Sequence, residues 1–153
     1  MNKLLSHILI GTLIMFISAC VSSESRVNDL VQNLPFPDGA TLIYSSTGQG
    51  QGSQDACFAT FFYGLYGTDK SYDEVAAFYE EHLTENKWQR VHLDWRPNNG
   101  LFFEQDSGFR LYIETEVNVN DIPEDTIKIA QTQHKTLYLI VVTYRDWLAR
   151  TYC

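Results

Sequence analysis

The sequence predicts an α+β domain: a two-layer sandwich in which a mostly antiparallel sheet of about five to six strands carries one main helix, residues 71–86, on one face. Three observations predict it. Strand-like segments with period-two alternation follow one another through short turns. One amphipathic stretch opens on a helix-start signature, Ser71 with Glu74 three residues on. The last strand signal, Thr136–Tyr144, is apolar at successive positions, as a strand covered on both faces must be. One helix cannot cover both faces of such a sheet, so a helix layer on a sheet layer is the economical arrangement.

The chain begins with a leader. Lys3 supplies a positive start, Ile8–Ile17 is an apolar run, and the small residues Ser18 and Ala19 follow. This is the layout of an export signal over residues 1–19. A retained transmembrane helix needs about 20 apolar residues. This stretch is shorter and carries Ser6 and His7. Ile17-Ser18-Ala19-Cys20 resembles the lipobox of bacterial lipoproteins, in which an aliphatic and two small residues precede a cysteine. The resemblance implies that Cys20 is lipidated and that the Ala19–Cys20 bond is cut. Two or three acyl chains hold a protein at a bilayer, where one holds it only marginally. Val21 is not the Asp that retains such proteins at the inner membrane, so in a bacterium with two membranes the pattern resembles that of the outer one. The expected localisation is the cell envelope, lipid-anchored to a membrane.

Two further cysteines, Cys57 and Cys153, make an even pair in an exported chain, where two thiols most often form a disulfide. Closing a loop of about 100 residues contributes about 4.7 kcal/mol on the chain-entropy argument. A redox or nucleophilic role is less favoured: there is no Cys-x-x-Cys and no histidine beside either cysteine.

Residues 20–26 are small and polar at their start and read as a tether to a single domain over 27–153. Val27, Leu30, Val31 and Leu34 have helical spacing, and Pro35 and Pro37 end that helix. Asp38-Gly39 turns into a first strand, Ala40–Ser46. Thr47–Gln54, with Gly48, Gly50 and Gly52 alternating with polar residues, reads as a flexible hairpin loop. A phosphate cradle would need a helix start directly after the glycines, and a strand follows instead. Asp55–Tyr66 is a strand rich in aromatic residues, with Gly64 and Gly67 permitting a bulge.

Ser71 and Glu74 then form the capping box, and Val75, Phe78, Tyr79 and Leu83 fall on one helical face. Asn86 and Lys87 suit the helix end. Trp88–Leu93 is a strand signal. Leu101–Gln105 and Phe109–Val117 flank the hairpin turn Asp106-Ser107-Gly108. In the second arm Phe109, Leu111 and Ile113 face one way, and Arg110, Tyr112 and Glu114 the other. Asn118–Gln133 is a polar loop with a helical turn at 124–131. Thr136–Tyr144 closes the order β-β-α-β-β-β-β.

Pro35–Ala40, Tyr72–Tyr79 and Asn86–Gln89 are together similar to small uncharacterised envelope lipoproteins of bacteria. In those, a Pro-x-Gly-Ala opens a strand and a Glu-Val-x-x-Phe-Tyr helix runs on to a Trp-led strand. The resemblance covers about half the mature chain and implies the fold, with no activity attached.

The charge is acidic: 11 Lys and Arg against 19 Asp and Glu, a net −8. With Lys3 removed, 10 stand against 19, or −9. That argues against nucleic acid, which wants a basic face, and against a polybasic grip on anionic lipid. No Gly-x-Ser-x-Gly marks a serine hydrolase. His82, His92 and His134 are not at metal-ligand spacing. Asp121, Glu124 and Asp125 lack the glycine and ligand order of a calcium loop. Glu80 and Glu81 are adjacent on a helix and diverge, which does not suit paired acid–base work. Neither a catalytic nor a cofactor motif is present.

The remaining enrichment is aromatic: three Trp and nine Tyr. Tyr63, Trp95 and Tyr112 stand opposite apolar neighbours and are the candidate binding surface. The favoured reading of the same rings is that they line a sheet face beneath loops. The expected function is a non-catalytic, lipid-anchored accessory protein that binds another envelope protein through its sheet face or edge. The alternative is a binder of a small ligand or glycan on exposed rings, which requires a concave aromatic cleft. An envelope hydrolase would require histidine and carboxylate to converge in space.

Overall fold

The computed structural model describes residues 22–51, 58–92, 100–115 and 122–145. The elements are α1 (Ser23–Gln32), β1 (Thr41–Gln51), β2 (Phe58–Thr68), α2 (Tyr72–Glu85), β3 (Gln89–Arg90), β4 (Gly100–Glu104), β5 (Phe109–Glu114), α3 (Glu124–Gln133) and β6 (Thr136–Tyr144). The six strands form one sheet in the order β1-β2-β6-β5-β4-β3, antiparallel at every pairing. This is the expected α+β sandwich.

The chain path follows from burial. After the β1–β2 hairpin, α2 carries the chain across one face to the far edge, where β3, β4 and β5 return as a meander. α3 then crosses, and β6 fills the gap between β2 and β5. β6 takes that place because both its faces are apolar. Tyr138, Ile140, Val142 and Tyr144 join the main core, whereas Leu137, Leu139 and Val141 serve a second cluster on the opposite face.

α2 is the predicted main helix. Ser71 caps it, and the reciprocal capping box with Glu74 is formed, with the Ser71 amide donating to the Glu74 carboxylate at 2.7 Å. That bond, then the Ser71 hydroxyl, holds the Glu74 carboxyl below its ordinary value. Val75, Tyr79 and Leu83 are fully buried against the sheet. α1 lies on the same face: Val27 is fully buried, the Ser23 and Thr60 hydroxyls meet at 2.7 Å, and Arg26 sits over the Tyr144 ring. Its helix starts at Ser23, because the Ser22 side chain accepts from the Ser25 amide. Residues 23–26, expected as tether, are therefore already its first turn. On the opposite face Ile122 and Ile127 close over Leu65, Leu137 and Leu139. The helical turn expected at 124–131 is thus a helix of ten residues, α3, and covers part of the far side of the sheet.

Two strand expectations are corrected. Trp88–Leu93 was expected as a strand; among its described residues Gln89 and Arg90 pair as one, while Trp88 turns into the core at 4 % exposure, and Leu93 lies outside the described residues. The Gly/Gln stretch expected as a loop from Thr47 remains strand through Gln51, in continuous register with β2. The sheet's one register shift in the β1–β2 pair lies between Leu42 and Tyr44, not at Gly64. Gly64 instead gives clearance: a Cβ there would stand 2.8 Å from the Tyr66 ring and 2.9 Å from the Phe62 ring.

Candidate functional site: an open sheet edge

Face and edge can be read strand by strand from the register. Ser46, Tyr63, Val141, Tyr112 and Phe102 form one cross-strand row on the face that carries α3. The structure therefore brings two of the candidate surface residues, Tyr63 and Tyr112, to the same face, separated by Val141. Trp95 lies outside the described residues, as do Cys20, Cys57 and Cys153.

Tyr63 is not an exposed ring. It is 7 % exposed, in the cluster with Leu65, Ile122 and Leu139. Its ring stacks on Tyr44 at 6.2 Å and on Phe61 at 6.0 Å, both nearly parallel. Alternation turns it away from the main core, and the face it lies on is itself packed. Tyr112 is half-buried and meets the buried Phe102 edge to face at 5.2 Å. These rings line a sheet face rather than a cleft.

The glycines of β1 belong to this arrangement. Gly48 stands opposite Phe61 and Gly50 opposite Ala59. The Phe61 ring lies over both: a Cβ would be 2.9 Å from it at Gly48 and 3.2 Å at Gly50. Here glycine makes room for an aromatic neighbour on the adjacent strand.

β1 is thereby eleven residues long, about 36 Å, and at the sheet margin. Its sequence, Thr-Leu-Ile-Tyr-Ser-Ser-Thr-Gly-Gln-Gly-Gln, contains no charge and no proline. Thr41–Gly50 are all exposed or half-buried, and Leu42 is 50 % exposed. Beyond the slip at Leu42–Tyr44 the strand is regular through Gln51. Thr47 donates to the Asn28 side-chain oxygen at 3.5 Å, which ties the strand to α1. Proteins usually guard edges with short strands, charges, proline or bulges. The opposite margin is guarded in that way: β3 has two residues, and Arg90 pairs with Glu80 of α2.

Compared with family models, curated proteins and solved structures, the chain has no match.

His82 lies on α2, and Glu124 and His134 lie at opposite ends of α3. Among the described residues no group of three His, Cys, Asp or Glu could hold a metal ion. His82 Nδ1 lies 2.8 Å from the Phe78 carbonyl, and its ring stacks on Phe78. His134 packs against Gly67, where a Cβ would stand 2.3 Å from its ring. Glu124 pairs with Lys128 at 2.7 Å on the exposed side of α3, and Asp121 lies outside the described residues. Among the described residues, one hollow of about 440 Å³ lies beside Glu104, Phe109, Arg110 and Arg145, and another of about 310 Å³ beside Ile127, His134 and Lys135. Neither is lined by Tyr63 or Tyr112, and the first holds the Arg110–Glu104 ion pair at 2.8 Å.

Proposed function

We propose that this chain is a lipid-anchored envelope protein with a non-catalytic binding domain, and that the domain holds a protein partner by accepting an added strand along β1. One observation carries the reading: an eleven-residue edge without charge or proline. Such an edge presents a row of main-chain donors and acceptors that a second strand satisfies. The lipobox-like Ile17–Cys20 supports the anchor, because an acidic surface offers anionic lipid no other hold. The ligand alternative needs an aromatic cleft, and the packing of Tyr63 speaks against one at that position.

Two measurements test the two halves. For the anchor, Cys20→Ser is expected to abolish acyl labelling and release the protein from the membrane fraction. Retention with undiminished labelling refutes it. For the binding role, a photo-reactive amino acid at Gln49, on the exposed edge, is expected to form a covalent protein adduct in intact envelopes. The same probe at Ile129, exposed on α3, serves as control. Absence of any adduct at Gln49 removes the binding reading.

A further inference from the structure

We infer that the strand occupying the β1 edge is β1 of a second copy of this chain, paired antiparallel about a two-fold axis at Thr47. The inference rests on the binding role of this edge and names its partner.

The regular part of the strand runs from Tyr44 to Gln51. Residues opposite each other in an antiparallel pair share a face. Centring the pair on Thr47 places Tyr44 opposite Gly50, Ser45 opposite Gln49 and Ser46 opposite Gly48 of the second copy. The two halves of the strand are then complementary to each other. Its first half brings side chains on the aromatic face, and its second half brings glycines there. Tyr44 is already the end ring of the row Phe61–Tyr63–Tyr44. Across the axis it would stand beside the Phe61 ring that covers Gly50, so that the aromatic row continues from one copy into the next. A foreign strand need not have this pattern, whereas a second copy has it by symmetry.

Charge supports the same partner. The chain carries a net −8, so most ways of bringing two copies together oppose like charges. β1 is an uncharged strip, so the pairing strands themselves oppose no carboxylates. Slipping the register by one residue would set Tyr44 against the other face, so the pairing is pinned by the pleat.

The test is sedimentation equilibrium of the full processed chain in density-matched detergent, over a wide concentration series. The expected result is a reversible monomer–dimer equilibrium built on the protein mass. Ser45→Lys with Gln49→Lys sets lysine against lysine twice across the axis, and is expected to weaken dimerisation about tenfold. Ser45→Lys with Gln49→Glu sets lysine against glutamate at the same two places and is expected to restore it. Ser45 and Gln49 are exposed, so both variants keep the fold, checked by circular dichroism. The Gln49 photo-adduct is expected to contain two copies of this chain by mass spectrometry. A monomer at every concentration overturns the inference, as does a dimer indifferent to the double lysine variant. A Gln49 adduct containing a different protein also overturns it, while leaving the binding role of the edge standing.

Discussion

Replacing Tyr79 by phenylalanine is expected to stabilise this protein. Tyr79 and Tyr138 are fully buried, side by side in the main core, with rings meeting edge to face at 6.2 Å. The two hydroxyls face each other without reaching good hydrogen-bond geometry, and neither has another partner among the described residues. Ionisation of Tyr79 is opposed by burial first and by Tyr138 second, which places the two hydroxyls near one another in a water-poor setting. A buried hydroxyl without a partner costs about 1–3 kcal/mol of desolvation. Tyr79→Phe removes that cost and keeps the ring contacts to Phe78 and Tyr138. The lost atom leaves a small void, which offsets part of the gain. The expected net effect is about 1 kcal/mol of added stability, or about 3–5 °C in Tm for a domain of this size. Urea unfolding followed by fluorescence measures it, with an unchanged slope showing that only stability moved. Tyr79→Phe/Tyr138→Phe completes the cycle. If the hydroxyls were in truth bonded to each other, each single variant would be destabilised and the double variant would recover. A loss of 1 kcal/mol or more in Tyr79→Phe refutes the reasoning.

Two further outcomes follow from the same core. Gly64→Ala is expected to cost about 1–3 kcal/mol by overpacking, because the rings it would strike are pinned: Tyr66 is stacked between Phe36 at 4.8 Å and Tyr138 at 5.6 Å, and Phe62 is 6 % exposed; chemical denaturation that leaves the midpoint unchanged contradicts this. Alkali is expected to destabilise the fold steeply above pH 10. Burial raises the phenols of Tyr66, Tyr79 and Tyr138, with Tyr66 pushed up to about 12. The folded state therefore keeps protons that the unfolded chain releases near pH 10, so this contribution is complete below pH 10 and is lost as pH rises toward 12. Each such tyrosine adds a slope of up to about 1.4 kcal/mol per pH unit. Urea midpoints measured from pH 9 to 11 check it, and a level profile across pH 10–11 would count against the buried-phenol account.

Much of the architecture was legible because its signals are local. The capping box at Ser71 and Glu74 closes within three residues, so α2 could be placed from the sequence alone. Thr136–Tyr144 announced a central strand through apolar residues on both faces, and β6 is central. The β4–β5 hairpin was marked by Asp106-Ser107-Gly108, with Gly108 at φ +96° supplying the left-handed turn position. The candidate site was less legible. Thr47–Gln51 has no apolar side chain and reads as a loop by composition, yet it is strand because β2 offers it a continuous partner and Phe61 requires the glycines. Tyr63 was expected to point outward as a surface ring, but Ile122 and stacking with Tyr44 and Phe61 bury it.

By itself, the sequence determined the class of fold, the start and span of α2, the central place of Thr136–Tyr144 and the acidic character of the surface. Each of these depends on residues within one or two turns of one another, or on a simple count. Only the tertiary structure decided that β1 lies at the margin, that it runs eleven residues, and that the opposite margin is shortened and charged. Whether a strand is an edge depends on what pairs beside it, and that is set by a chain crossing from β2 to β3 and back to β6. Main-chain hydrogen bonding is the same for every residue but proline, so an open edge has no residue code of its own.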